Sequence, residues 1–271
     1  MGFNDNNSTE KKSPIRDKPN RLPGQSLNDE IQKVMSDDVE FHAGMFGMYV
    51  IVVAVLWINK FTNFFSNYFA LISFTIVALF PCAYCVYRLC KSKKYLKNLN
   101  QGLEGELYVG QFLTNKLLRK GYNILHDIPV ELSDGTKCNI DHVIISPNGI
   151  YTVETKTISK PVRGDAKIYF DDKMLSFNGK DATDKPVIQA KAEAGWIDDF
   201  IDKRTIHKGI KVHPVIIFPG WFINTDYDKS KIWILNEKCL ESFISNEAGD
   251  ISEGIVKEIT YKLAEYCSKN H

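Results

Sequence analysis

No charged side chain stands between His42 and Lys60, and none between Lys60 and Arg88. The two windows, AGMFGMYVIVVAVLWIN and FTNFFSNYFALISFTIVALFPCAYCVY, also lack the polar stripe that a helix packed on a soluble core carries. A bilayer core takes about 17–25 helical residues, so the first window sits at the short end of that range and the second fills it. Two transmembrane helices are expected, at about 42–58 and 68–89, joined by a turn around NKFTNFFSN. The long polar segment ahead of them argues against a cleaved signal peptide. With no acid or base inside either window there is no ion path, which argues against a transporter.

A cysteine framework is missing too. Cys82, Cys85 and Cys90 fall in or at the end of the second window, and Cys138, Cys239 and Cys267 are scattered. Neither a disulfide nor a zinc site is expected of them. Bulk positive charge is absent as well: the chain carries a net +1, and residues 98–271 hold 22 Lys and Arg against 25 Asp and Glu. Proteins that grip duplex nucleic acid usually present a basic face. Any such face must therefore be local, with Lys116, Arg119, Lys120, Lys160, Arg163 and Lys167 as its candidates. No internal repeat is visible.

The cations that are present mark an orientation. Arg88, Lys91, Lys93, Lys94 and Lys97 follow the second window, whereas the connecting turn has only Lys60. By the positive-inside rule both termini face the cytosol, in a multi-pass protein of the cytoplasmic (inner) membrane. Residues 1–41 read as a cytoplasmic tail: 1–25, rich in Asn, Ser, Lys and Pro, is expected to be disordered, and 26–41 to form a short helix capped by Ser26 or Asn28. Residues 42–90 are the two spans, and 98–271 a cytosolic domain.

That domain opens on an apolar helical stripe, Leu103, Leu107, Val109, Phe112, Leu113, Leu117 and Leu118, stopped by Gly121. YNILHDIPVEL predicts a strand, CNIDHVIISPNGIYTVETK a β-hairpin, and KIYFDDKMLSFNG a smaller hairpin around Asp171-Asp172. A helix follows from Thr183 or Asp184 with Pro186 in its first turn, then the strands HPVIIFPG and KIWILN, then a C-terminal amphipathic helix. The fold class is α/β, a mixed sheet flanked by helices and preceded by a two-helix membrane hairpin.

The first hairpin carries the chemistry. Glu154 and Lys156 are two apart on a strand and share a face. A two-residue turn at Pro147-Asn148 sets Asp141 opposite Glu154, and a turn at Asn148-Gly149 sets it opposite Lys156. In either register the three charges converge, while His142, Ile144 and Val153 point the other way. Two nearby carboxylates repel unless a cation lies between them, and oxygen-only ligands suit Mg²⁺. A lysine beside such a metal can orient or deprotonate water, or stabilise charge developing on a phosphate. An exposed strand with alternating charge gives the same pattern without a site.

Asp141…Glu154-Thr155-Lys156, within helix-strand-strand-strand-helix-strand, resembles the PD-(D/E)xK restriction-endonuclease-like superfamily. More narrowly, Gly102-Leu-Glu-Gly105-Glu106, Asn139-Ile140-Asp141-His142, Gly149 to Lys156 and Pro186-Val-Ile-Gln189 resemble the nuclease-related domain (NERD) family across residues 98–222. The resemblance implies a nuclease that uses Mg²⁺ (or Mn²⁺), with Asp141 and Glu154 as metal ligands, the Thr155 carbonyl as a third, and Lys156 as the catalytic lysine. It implies Glu106 as an acid reaching the metal shell and Gln189 as an amide pointing into the site. Ile140 stands where the superfamily often has proline. From the residues alone, Glu106 is equally an ordinary first-turn acid and Gln189 a surface amide. Expected partners are nucleic acid, DNA before RNA, the bilayer, and a second copy in a homo-oligomer. The alternative is an inactive nuclease fold that binds nucleic acid or acts as a membrane scaffold.

Overall fold

The computed structural model describes residues 20–61, 68–161, 166–224 and 227–270. The expectations for residues 1–19, for the inter-span turn at 62–67 and for Arg163 fall outside them. Three helical stretches come first: α1 (Gln25–Val34), which runs through a π-helical turn (Met35–Glu40) into α2 (Phe41–Phe61), and α3 (Tyr68–Leu117). Two of these helical runs are long and apolar enough to cross a membrane. Their apolar side chains are largely uncovered, Phe69 and Phe80 by 80% and 75%.

Two sequence expectations change here. The helix at 26–41 has no side-chain cap and does not stop, because its Ser26 hydroxyl is committed elsewhere and the π-helical turn carries the backbone on into α2. The second apolar window and the first domain helix are also continuous: α3 has 50 residues, about 75 Å at 1.5 Å per residue. No glycine or proline interrupts the basic segment Lys91–Lys97, so nothing breaks the helix where the apolar stretch ends.

After α3 come β1 (Asn123–Glu131), β2 (Lys137–Ser146), β3 (Gly149–Thr155), β4 (Lys167–Phe170), β5 (Leu175–Phe177), β6 (Lys180–Thr183), α4 (Lys185–Arg204), β7 (Val212–Ile217), β8 (Phe222–Ile223), β9 (Trp233–Leu235), α5 (Glu237–Asn246) and α6 (Glu253–Lys269). The main sheet has order β1-β2-β3-β7-β9, antiparallel through β3 and parallel from β3 on. A small sheet, β6-β5-β4-β8, lies beside it and holds the second expected hairpin. β6, β8 and α5 are additions to the sequence expectation.

Helices cover both faces of the main sheet. Val109, Leu113 and Leu117 of α3, with Leu240 and Ile244 of α5, pack on Ile144, Tyr151, Val153, Val215 and Ile217. On the other face Ala194, Ile197 and Ile201 of α4 and Val256, Ile259 and Leu263 of α6 meet Leu125, Val143, Ile145 and Ile150. Each fully buried aliphatic side chain contributes about 1.5–3 kcal/mol. The β2–β3 ladder runs from His142–Val153 to Ser146–Gly149, so the turn is Pro147-Asn148. Of the two registers the sequence allows, this is the one that sets Asp141 across from Glu154.

Candidate active site

Asp141 is almost buried, and its Oδ2 accepts the backbone N–H of Thr155 at 2.7 Å. Glu154, buried at 3% exposure, pairs through Oε1 with Lys156 Nζ at 2.5 Å, and its Oε2 is buried without a partner. Lys156 leaves the sheet one residue after β3, its own N–H still bonded to the Ile217 carbonyl at 2.9 Å. Its ammonium also donates to Gln189 Oε1 at 2.9 Å. Gln189 in turn donates from Nε2 to Glu193 Oε1 at 2.8 Å. The amide therefore points into the cluster and bridges the lysine to a second acid of α4. Glu106, which directly follows the Gly102-Leu-Glu-Gly105 stretch of α3, is buried on the same side.

Glu193 escapes motif reading. It is fully buried, and its Oε2 has no hydrogen-bond partner. A signal existed: Glu193 lies three residues past Ala190 and four before Ile197, on the helix's apolar stripe, where a carboxylate is out of place unless it has a task.

The acids raise one another's proton affinity. Burial, then the charge of Glu154, pushes Asp141 well above the ordinary carboxylate range, with Glu106 and Glu193 adding and the Thr155 N–H opposing. Burial and Glu154 do the same to Glu193. Glu106 is pushed up to about 8 by burial and then by Glu154 and Asp127, against Lys156 and the Gly24 N–H. Burial alone would lower Lys156. The Glu154 charge and hydrogen bond, helped by Asp141 and Glu193, outweigh it and raise the ammonium above its ordinary value. Among the described residues Lys156 thus faces several buried carboxylates, an excess of negative charge that calls for a further positive one.

Among the described residues, no group of three or more His, Cys, Asp or Glu side chains converges closely enough to hold a metal by itself. Mg²⁺ does not need one, since it commonly takes one or two carboxylates and keeps several waters. Asp141 and Glu154, across from each other and with Glu154 Oε2 unpartnered, fit that habit. Thr155 lies between Glu154 and Lys156 with its N–H spent on Asp141.

Of the basic candidates, the five among the described residues are held at separate places. Lys116 lies ten residues beyond Glu106 on α3, about 15 Å along the axis, and Lys120 ends the short 3-10 turn Leu118–Lys120 that follows α3. Lys120 is tied to Glu241 at 2.8 Å and to Ser245 at 3.3 Å, both on α5. Arg119 is exposed in the same turn. Lys160 donates to the Gly220 carbonyl at 2.6 Å, and Lys167 begins β4 of the small sheet. His142 is fully buried on the α3 side, its Nδ1 2.9 Å from His126 Nδ1, as a core residue.

A cavity of about 540 Å³ opens onto Asp141 and Glu106, walled by Ser26, Leu27 and Glu30 on one side and Tyr266 and Asn270 on another. No solved structure matches the chain. An uncharacterized protein of Bacillus anthracis is 36% identical over 67 residues, 25% of this chain and 31% of that one, so the chain spans about a third of that relative's length. Residues 101–219, which hold Glu106, Asp141, Glu154, Lys156, Gln189 and Glu193, match the family model of the nuclease-related domain (NERD).

Proposed function

We propose that the protein is a membrane-anchored, divalent-metal-dependent nuclease that hydrolyses phosphodiester bonds of nucleic acid, DNA in the first instance, on the cytosolic side. The observation that carries this reading is the contact chain Asp141–Thr155 and Glu154–Lys156–Gln189–Glu193, in which the acids are buried and the lysine and amide between them are half-buried and mutually oriented. Asp141 and Glu154 would hold the cation, Mg²⁺ or Mn²⁺, with the Thr155 carbonyl beside them. When bound, such a cation lowers the pKa of water and offsets charge on a phosphoryl oxygen. Lys156, an ammonium held at fixed reach by Glu154 and Gln189, would orient the attacking water and stabilise charge on the phosphate. The two apolar helices would anchor the domain to the bilayer, with the basic run Arg88 to Lys97 setting its face toward the cytosol.

A second reading is an inactive fold that binds nucleic acid or organises a membrane complex, and the scatter of Lys116, Lys120, Lys160 and Lys167 favours its scaffold form. One experiment separates them. The full chain, purified in detergent micelles, is incubated with Mg²⁺ or Mn²⁺ and with single- and double-stranded DNA and RNA. Cleavage that is lost in Asp141→Asn and Lys156→Ala supports the nuclease. Binding without cleavage supports the second reading, and equal cleavage by parent and variants removes the site assignment.

A further inference from the structure

The segment ahead of α1 is wedged into the nuclease-related domain beside the candidate site. Asp127 of β1, at 1% exposure and with φ 52, is the point of attachment. Its Oδ2 accepts Arg21 Nη1 at 2.9 Å and the Ser26 N–H at 2.9 Å. Its Oδ1 accepts the Ser26 hydroxyl at 2.5 Å and Asn139 Nδ2 at 2.8 Å. A carboxylate this deep is uncompensated without its partners, and most of them come from residues 21–26.

The segment also lies closer to α3 than side chains ordinarily permit. Pro23 fills the space where a Cβ on Gly110 would stand, its Cγ only 2.5 Å from that point. Leu27 is 3.3 Å from the equivalent point on Gly102. Gly24 has φ 66, and a Cβ there would meet Leu103 Cδ1 at 2.5 Å and Glu106 Oε2 at 3.6 Å, so both conformation and space demand glycine. Its backbone N–H faces the Glu106 carboxylate. The far end of the segment is pinned as well: Glu30 accepts the Tyr95 hydroxyl, and Asp38, in the π-helical turn, pairs with Arg88.

We infer that residues 21–26 are a working part of the candidate site, a strap clamped on Asp127 that presses Gly24 against Glu106 and so orients that carboxylate toward Asp141 and Glu154. Gly24 and Ser26 are positioning residues. A glutamate on a helix surface samples several rotamers, and the strap leaves Glu106 one buried orientation with a donor in place. The site is thereby completed from a segment that precedes the membrane helices, about 80 residues away in the chain, and held by the same α1 that leads into them.

The inference rests on the nuclease reading, and the experiment separates the two. The full chain in detergent micelles is compared with Gly24→Ala, Ser26→Ala and Ser26→Thr. The readouts are amide hydrogen exchange over residues 22–28, the melting temperature, Mn²⁺ affinity, and kcat and KM for Mn²⁺-dependent cleavage. The expected result is faster exchange in the strap of Gly24→Ala and Ser26→Ala, with a melting temperature lowered by several degrees while the chain stays folded at the assay temperature. It includes a fall in kcat of about tenfold to a hundredfold with KM nearly constant, the cost of a misplaced group. Ser26→Thr, which keeps the hydroxyl, restores kcat. Should exchange speed up while kcat and Mn²⁺ affinity hold, or should kcat rise, the strap is not a positioning element, though the nuclease reading survives. Should the parent neither bind Mn²⁺ nor cleave, the nuclease reading itself fails, and the inference with it.

Discussion

The Thr155 backbone N–H donates to Asp141 Oδ2 at 2.7 Å, so the strand that carries Glu154 and leads into Lys156 also fixes the acid on its neighbour. The bond holds an acid that burial and the nearby carboxylates already push toward protonation. Such a group costs stability in the metal-free protein and repays it when a cation binds.

Asp141→Asn tests that trade directly. Without divalent metal the variant melts no lower than the parent, because a buried, crowded charge is gone while its shape remains. With Mn²⁺ at about 100 times its dissociation constant, the parent gains roughly 2.7 kcal/mol by mass action and the variant does not. Cleavage falls by about a hundredfold or more. Melting curves with and without Mn²⁺ measure the first two effects, and a variant that gains as much as the parent removes Asp141 from the metal site.

Glu193 separates charge from hydrogen bonding. Glu193→Gln keeps an oxygen for Gln189 Nε2 and discharges one buried acid, so stability without metal rises and cleavage falls only a few-fold. Glu193→Ala leaves the Gln189 amide unpaired and costs about 1–3 kcal/mol. Denaturant titration of both variants decides the matter, since equal losses would show that the Gln189–Glu193 bond at 2.8 Å contributes nothing.

Gly105 marks the place where α3 meets the strand end. A Cβ there would overlap Thr157 Oγ1 and lie 2.8 Å from Thr157 Cβ, so Gly105→Ala pushes α3 off the Lys156–Thr157 segment. Overpacking of this kind costs about 1–3 kcal/mol. Thr157→Ala removes the hydroxyl but not the Cβ, so the double variant recovers part of the loss. A double-mutant cycle that shows strict additivity would place the two residues out of contact.

How much of this the sequence discloses depends on how local each cause is. Two registers stay open until the strand ladder fixes Pro147-Asn148 as the turn, but the hairpin and the convergence of Asp141, Glu154 and Lys156 follow from the turn and a two-residue period. So does α4, whose apolar stripe and Pro186 mark its start. The signals for α5 are local too, the capping Asn236 and the Leu240–Ile244 spacing. Asp127 is different, since its partners Arg21 and Ser26 lie 106 and 101 positions away and only the fold brings them to it. The same holds for the basic residues, whose spacing in the chain says nothing of the length of α3 that separates Lys120 from Glu106. Glu193 lies between these cases, visible as a charge on an apolar stripe but purposeful only once Gln189 is seen to point at Lys156.

Away from the site, His213 sets a pH response of stability. Its ring lies 4.5 Å from that of Trp233, and its Nε2 is buried without a partner. Burial lowers its pKa from 6.5 to about 4. Between those values the unfolded chain takes up a proton that the folded one refuses, so this residue's contribution is complete above about 6.5 and is lost as pH falls toward about 4. Glu106, raised from 4.5 to about 8, slopes the other way over an overlapping range. The difference between parent and variant isolates the histidine. His213→Phe keeps a ring against Trp233 and cannot take a proton, so the gap in melting temperature between it and the parent widens in its favour as pH drops from 6.5 to 4.5. A gap that stays constant over that range would mean that His213 is free to ionise in the folded protein.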